Sequence, residues 1–90
     1  MGRDSIRILL VDDHAVLRAG LRALLEAEPG LEVIGEAGTG EEGVAMAVSL
    51  RPDVVVMDLS MPGIGGLEGT RRIAQLNQQT RVLVLTMHGE

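Results

Sequence analysis

The chain has 90 residues, which is enough for one domain with a modest core, and its formal net charge is −5. No apolar run approaches the roughly 20 residues of a membrane helix, and the N-terminus lacks the layout of a signal peptide, so we expect a soluble cytoplasmic protein with no membrane partner. The absence of cysteine excludes disulfides and thiolate metal sites. The acidic charge argues against nucleic-acid binding by this chain itself, because binding to phosphates needs clustered cations. Aromatic residues and lysine are absent, and all eight basic residues are arginines.

The first half of the chain alternates two hydrophobic periods. Ile6–Val11 is a short, β-branched apolar run that predicts a buried strand, and two aspartates follow it. Residues 15–27 predict a helix whose leucines at 17, 21, 24 and 25 share one face, and Pro29-Gly30 ends it. Leu31–Ala37 predicts a second strand. The segment from Thr39 to Glu42 has the layout of a capping box and opens a second helix over Gly40–Leu50.

The second half continues the same alternation. Residues 54–57 (VVVM) form the most apolar predicted strand, which suggests a central place in the sheet. Residues 58–66 contain a proline and three glycines and predict a loop. Residues 67–78 predict a third helix, and Arg81–Leu85 predicts a fourth strand. The resulting β-α-β-α-β-α-β order predicts an α/β fold with a parallel sheet and right-handed crossovers.

The candidate functional residues directly follow the predicted strands. Ligands of open parallel sheets bind beyond the carboxyl ends of the strands. Asp12 and Asp13 follow the first strand, Asp58 follows the third and Thr86 follows the fourth. If the first and third strands are neighbours, three carboxylates converge and need a cation, and Mg²⁺ prefers such oxygen ligands. A site of this kind suits phosphoryl transfer to a carboxylate, with the Thr86 hydroxyl bonding a phosphate oxygen.

Each feature taken alone has an ordinary structural explanation. An acidic pair after a strand often forms a solvated turn, and Asp58 or Thr86 could cap a helix. His14 and His88 fit helix-cap or surface positions better than ligand positions, although a histidine beside three aspartates could bind a transition metal. The glycines within 63–66 match neither a Walker nor a dinucleotide-binding pattern, so a tight loop explains them better than a phosphate cradle.

Taken together, four segments resemble the receiver domains of bacterial two-component response regulators: LLVDDH at 9–14, GEA at 35–37, PDVVVMDLSMPG at 52–63 and VLVLT at 82–86. Their order and spacing cover nearly the whole chain. The DDH triplet, RAGL at 18–21 and LTMH at 85–88 are most similar to the NarL/LuxR-type subfamily.

The resemblance implies a flavodoxin-like, doubly wound fold with the strand order 2-1-3-4-5. It implies that Asp58 accepts the phosphoryl group and that Thr86 is the switch hydroxyl. The Mg²⁺ ligands would be Asp12, Asp13, Asp58 and the backbone carbonyl of Ser60. The implied donor is a sensor histidine kinase docking against residues 15–22. DNA would be bound only by a C-terminal helix-turn-helix domain of a full-length regulator.

The chain departs from this family pattern at its C-terminal end. We expect residues 1–90 to form a receiver domain with the strand order 2-1-3-4 that lacks the fourth helix, the fifth strand and the fifth helix. The lysine that pairs with the phosphoacceptor in the family would also be lacking, so we expect phosphorylation of Asp58 in this chain to be slow or absent. The fourth strand should be an exposed sheet edge, which predicts self-association, such as a dimer.

Three functional hypotheses follow from the sequence. The leading hypothesis is a phosphorylation-dependent signalling module that is not itself an enzyme. The second is a receiver-like interaction or oligomerisation module that takes no phosphate. The third, a small phosphatase or nucleotide-binding enzyme, is disfavoured because no second acid stands two residues after Asp58 and no nucleotide fingerprint is present.

Overall fold

A computed structural model of the chain describes residues 5–59, 61, 63–76 and 79–85. The elements alternate between strand and helix, as the hydrophobic pattern predicts. In chain order they are β1 (Ile6–Val11), α1 (Ala15–Glu26), β2 (Leu31–Ala37), α2 (Gly40–Leu50), β3 (Val54–Asp58), α3 (Gly65–Leu76) and β4 (Arg81–Leu85). β4 is the last element in the part of the chain that the structure describes.

The four strands form one parallel sheet with the order β2-β1-β3-β4. β1 and β3 are therefore direct neighbours, and their pairing runs without a register shift from Ile8 opposite Val54 to Val11 opposite Met57. On the other side of β1, the pairing with β2 shifts register between Ile8 and Leu9. The predicted flavodoxin-like strand order is confirmed.

The sheet has apolar side chains on both faces, because successive strand residues point to opposite sides. One face buries Leu9, Val11, Val55 and Met57 against α2 and α3, which contribute Ala47 and Ile73. The opposite face packs Ile8, Leu10, Val33 and Val56 against Leu21 and Leu25 of α1. Helices on both faces make the sheet doubly wound, as expected, and leave the carboxyl ends of its strands to form the site.

Side-chain hydrogen bonds cap the N-terminus of α2. Thr39 is the N-cap, and its hydroxyl accepts a hydrogen bond of 3.0 Å from the Glu42 backbone N–H. The Glu42 carboxylate accepts in return from the Gly38 N–H at 2.9 Å. This reciprocal pair confirms the predicted capping box, with the second bond displaced one residue toward the N-terminus. At the other end of α2, Arg51 takes a left-handed conformation with φ of 49°.

Two local predictions were wrong. Leu24 does not lie on the packed face of α1, since 70% of it is exposed. α3 begins at Gly65 rather than after Gly66, so part of the glycine-rich loop is helical. The cause is packing: Gly66 and Gly69 are buried against β3, and their lack of side chains lets α3 lie close to that strand. Within the described ranges, no helix has the length and apolar character needed to cross a membrane.

Candidate functional site

The candidate site lies where β1 and β3 end. Val11 and Met57 are paired, so the next residue on each strand, Asp12 and Asp58, lies at the same edge of the sheet. Both aspartates are almost fully buried, with 2% and 1% of their surface exposed. The carboxylates predicted to converge from neighbouring strands are therefore brought together by the backbone pairing itself.

Asp13 and His14 complete the cluster at its solvent side. The Asp13 side chain is 31% exposed and that of His14 is 58% exposed. Each of Asp12, Asp13, His14 and Asp58 offers one ligand atom, and all four atoms lie within 4.8 Å of one another. The cluster is thus buried on one side and open to water on the other.

His14 faces the three carboxylates. Its Nδ1 lies 3.1 Å from an oxygen of Asp12, 3.1 Å from one of Asp13 and 3.7 Å from Oδ2 of Asp58. The hydrogen bond with Asp12, followed by the negative charge of Asp13, raises the pKa of His14 above its usual 6.5. A protonated His14 would partly offset the negative charge of the cluster.

Asp12 has features expected of a metal ligand. Its Oδ1 accepts a hydrogen bond of 2.7 Å from the His14 backbone N–H, which fixes the carboxylate plane. Its Oδ2 is buried and has no hydrogen-bond partner among the described residues. A buried, unsatisfied carboxylate oxygen is costly, and a cation at this position would remove that cost. The residues present therefore fit a hard divalent cation such as Mg²⁺.

A network of ion pairs behind the cluster holds its backbone. Arg18 of α1 donates from Nη1 to the Asp12 backbone carbonyl at 2.5 Å and from Nε to Glu36 of β2 at 2.8 Å. Arg22 donates to the same Glu36 carboxylate at 2.5 Å. These two arginines lower the pKa of Glu36, with the hydrogen bond from Arg22 as the larger cause. α1 is thereby tied both to the end of β1 and to the neighbouring strand.

The structure describes some of the predicted site residues and not others. It brings Asp12, Asp13 and Asp58 together as predicted. Ser60 and Thr86, the predicted carbonyl ligand and switch hydroxyl, lie outside the described residues, as does His88.

Two contributors were only partly recognised from the sequence, which favoured a cap or surface position for His14 over a ligand position. His14 does stand at the N-cap of α1 as predicted, but it makes no side-chain cap hydrogen bond, and its ring faces the carboxylates instead. Arg18 was recognised only as part of a family motif. Its spacing of four residues from His14, one helical turn, was the available signal that both lie on one face of α1.

Comparisons with known proteins agree with this geometry. The family model of the response regulator receiver domain matches residues 8–90. The transcriptional regulatory protein LiaR of Bacillus subtilis is 53% identical over 81 residues, which are 90% of this chain and 38% of LiaR. The chain therefore spans well under half the length of this curated relative.

Two solved structures are also similar to the chain. A two-component response regulator of the LuxR family from Aurantimonas is 46% identical with a TM-score of 0.89, over 94% of this chain and 61% of that one. In the CheX–CheY–BeF3–Mg²⁺ complex from Borrelia burgdorferi, the matching chain is 26% identical with a TM-score of 0.86, over 94% of this chain and 64% of that one. Both likenesses extend over nearly all of the present chain.

Proposed function

The chain belongs to the response regulator receiver domain family, and we propose that it accepts a phosphoryl group on Asp58 in two-component signalling. The observation that carries the proposal is the meeting of buried Asp58 with Asp12 and Asp13 at one end of the sheet. The donor would be the phosphohistidine of a sensor histidine kinase. A carboxylate oxygen of Asp58 forms the new bond to phosphorus while the bond from phosphorus to the histidine nitrogen breaks.

Different residues of the chain would have different roles in this phosphoryl transfer. Asp12, Asp13 and Asp58 would hold Mg²⁺, which when bound neutralises charge on the incoming phosphate. The carbonyl of Ser60 would add a ligand, and the Thr86 hydroxyl would respond to the phosphoryl group. Burial of Asp58 keeps water from its inner side, while the exposed Asp13 marks the side from which the donor enters. The domain would thus be a phosphoacceptor rather than an enzyme.

We also propose which partners the domain binds and where it acts. The kinase would dock against the exposed surface of residues 15–22 of α1, and the protein would act in the cytoplasm. DNA would be bound by an output domain in a longer protein, as the similarity to a transcriptional regulatory protein suggests. The acidic charge of the present chain fits that division, since it offers little attraction to a phosphate backbone.

Acetyl phosphate with Mg²⁺, followed by intact-mass measurement, tests the proposal. We expect the mass of one phosphoryl group to be added slowly, because the chain has no lysine to stabilise the transferring group. The addition should require Mg²⁺ and disappear in Asp58→Asn. The matched control is Asp53→Asn, which changes an exposed aspartate at the opposite end of β3. Phosphorylation that survives Asp58→Asn would refute the assignment.

One observation favours a second candidate function, an interaction module that takes no phosphate. Among the described strands β4 is an edge, and its Leu83 and Val84 are 58% and 37% exposed. Unpaired edges with apolar side chains promote association with another chain, here a second copy. Complete failure of phosphorylation together with self-association through β4 would support this function over the first.

A further inference from the structure

Both backbone polar groups of Asp12 are linked to β2, one directly and one through Arg18. The Asp12 N–H donates to the carbonyl of Ala37, the last residue of β2, at 3.0 Å. The Asp12 carbonyl accepts from Nη1 of Arg18 at 2.5 Å, and Nε of the same guanidinium donates to Glu36 at 2.8 Å. One side chain of α1 therefore bridges β2 and the peptide that joins Asp12 to Asp13.

The guanidinium of Arg18 is well suited to this bridge. Its N–H groups form a rigid planar fork, so two acceptors bound at once fix both its position and its orientation. Hydrogen bonds from a charged donor are also about twice as strong as those between neutral groups. The Arg18 side chain is 22% exposed and that of Glu36 is 26% exposed, so both groups are largely shielded from competing water.

We propose that Arg18 is a positioning residue: by holding the carbonyl of Asp12, it sets where the Asp13 carboxylate lies relative to Asp58. The peptide unit is planar, so the Asp12 carbonyl moves together with the nitrogen and Cα of Asp13. A donor that holds this carbonyl therefore restricts the backbone from which the Asp13 side chain extends. This role rests on the proposed function and adds to it a residue that would not itself touch the phosphoryl group.

Asp13 has weaker side-chain restraints than the two buried aspartates of the cluster. Asp12 and Asp58 are enclosed by the sheet, whereas the Asp13 side chain is 31% exposed. Among the described residues its carboxylate forms one ion pair, with the His14 ring at 3.1 Å, and that ring is itself 58% exposed. The position of the Asp13 carboxylate therefore depends mainly on its backbone, which Arg18 holds.

Arg22 provides a matched control in the same network. It donates to the other oxygen of the Glu36 carboxylate at 2.5 Å, and its Nε lies 3.4 Å from Glu26. Within the described ranges, Arg22 forms no hydrogen bond with Asp12. A role in stability alone predicts similar effects of removing either arginine, whereas the positioning role predicts that only the loss of Arg18 changes the site.

The test replaces each arginine with methionine, which keeps an unbranched apolar side chain and removes the donors. Losing a residue that orients a metal ligand typically costs about 10–100-fold in affinity or activity. We therefore expect Arg18→Met to lower both the Mg²⁺ affinity, measured by isothermal titration calorimetry, and the initial rate of phosphorylation by acetyl phosphate by about tenfold or more. Arg22→Met should leave both unchanged. Arg18→Lys, which keeps the charge and a donor but lacks the planar fork, should recover part of the loss.

NMR relaxation of the metal-free chain measures the restraint on Asp13 directly. A rigid backbone amide has an order parameter of about 0.85, and a flexible one falls below about 0.6. We expect the order parameter of the Asp13 amide to fall in Arg18→Met and to stay high in Arg22→Met, while urea unfolding shows similar stability for the two variants. An unchanged order parameter and Mg²⁺ affinity in Arg18→Met, or equal losses in both methionine variants, would overturn the positioning role.

These outcomes are separable from those of the phosphorylation test. Phosphorylation that is lost in Asp58→Asn but proceeds equally fast in Arg18→Met, with an unchanged Asp13 order parameter, would leave the proposed function standing and overturn this inference alone. A chain that acetyl phosphate cannot phosphorylate, in which Arg18→Met alone lowers the Mg²⁺ affinity and the order parameter of Asp13, would do the reverse.

Discussion

Replacing Gly66 with alanine is expected to destabilise the domain and disturb the end of β3. A Cβ atom at position 66 would lie 2.0 Å from the Asp58 carbonyl oxygen and 2.6 Å from the Cα of Leu59. Even a close C–H···O contact keeps carbon and oxygen about 3.3 Å apart, so the overlap exceeds about 1 Å. Both neighbours are backbone atoms, and neither can turn away as a flexible side chain could. α3 must therefore move from the sheet, or the backbone at Asp58 must shift.

The change in the free energy of unfolding caused by Gly66→Ala follows from two opposing effects. Overpacking of a close-packed interior costs about 1–3 kcal/mol and sometimes more, and a backbone clash belongs at the upper end. Alanine gains at most about 1 kcal/mol over glycine from helix propensity. The net loss should be about 2 kcal/mol, which corresponds to a fall of about 8–16 °C in Tm for a domain of this size.

The assay is urea unfolding followed by far-UV circular dichroism, since the chain has no aromatic residue to report by fluorescence. Gly20→Ala is the matched control, because Gly20 lies in α1 and a Cβ there meets nothing within 4 Å. This control should gain about 0.5–1 kcal/mol. Mg²⁺ affinity measured on the same samples should fall in Gly66→Ala and not in Gly20→Ala. Equal unfolding midpoints for Gly66→Ala and the unchanged chain would refute the close approach of α3 to Asp58.

Two further predictions concern pH and association. The pKa of Glu36 is lowered from 4.5 in the folded state, so its pairing with Arg22 and Arg18 stabilises the fold above that pH, and this contribution disappears as the pH falls through the lowered value. The stability difference between the unchanged chain and Glu36→Gln, measured by urea unfolding, should therefore be larger at pH 7 than below pH 4. The exposed Glu32→Gln on the same strand should show little difference at either pH, and equal effects of the two variants would contradict the assignment. Self-association through β4, measured by sedimentation at increasing concentration, should weaken in Leu83→Lys and persist in Leu67→Lys, which changes an exposed leucine of α3. A chain that is monomeric throughout would contradict the second prediction.

The fold was largely predictable because each strand carries a short apolar run, and because the first helix has a stop signal and the second a start signal in the sequence. The parallel order, with the first and third strands as neighbours, predicts that Asp12 and Asp58 lie at one edge of the sheet. The orientation of His14 was not predictable, since an N-cap position permits a ring that caps the helix, faces water or turns to the carboxylates. The start of α3 was mispredicted because glycines usually mark loops, whereas Gly66 is needed where a helix lies against a strand.

β1 pairs regularly with β3 but with a register shift against β2, and this difference affects where the sheet can tolerate inserted residues. The register shift lies between β1 and β2, away from the strand that carries Asp58, while the pairing of β1 with β3 is regular. A one-residue slip reverses which face every side chain of a strand occupies. A residue inserted into β3 would therefore turn Asp58 away from Asp12, whereas Asp12 and Asp58 lie together even though the pairing of β1 with β2 contains an irregularity. Changes of chain length during evolution should accumulate at the β2 edge of the sheet and be excluded from its centre.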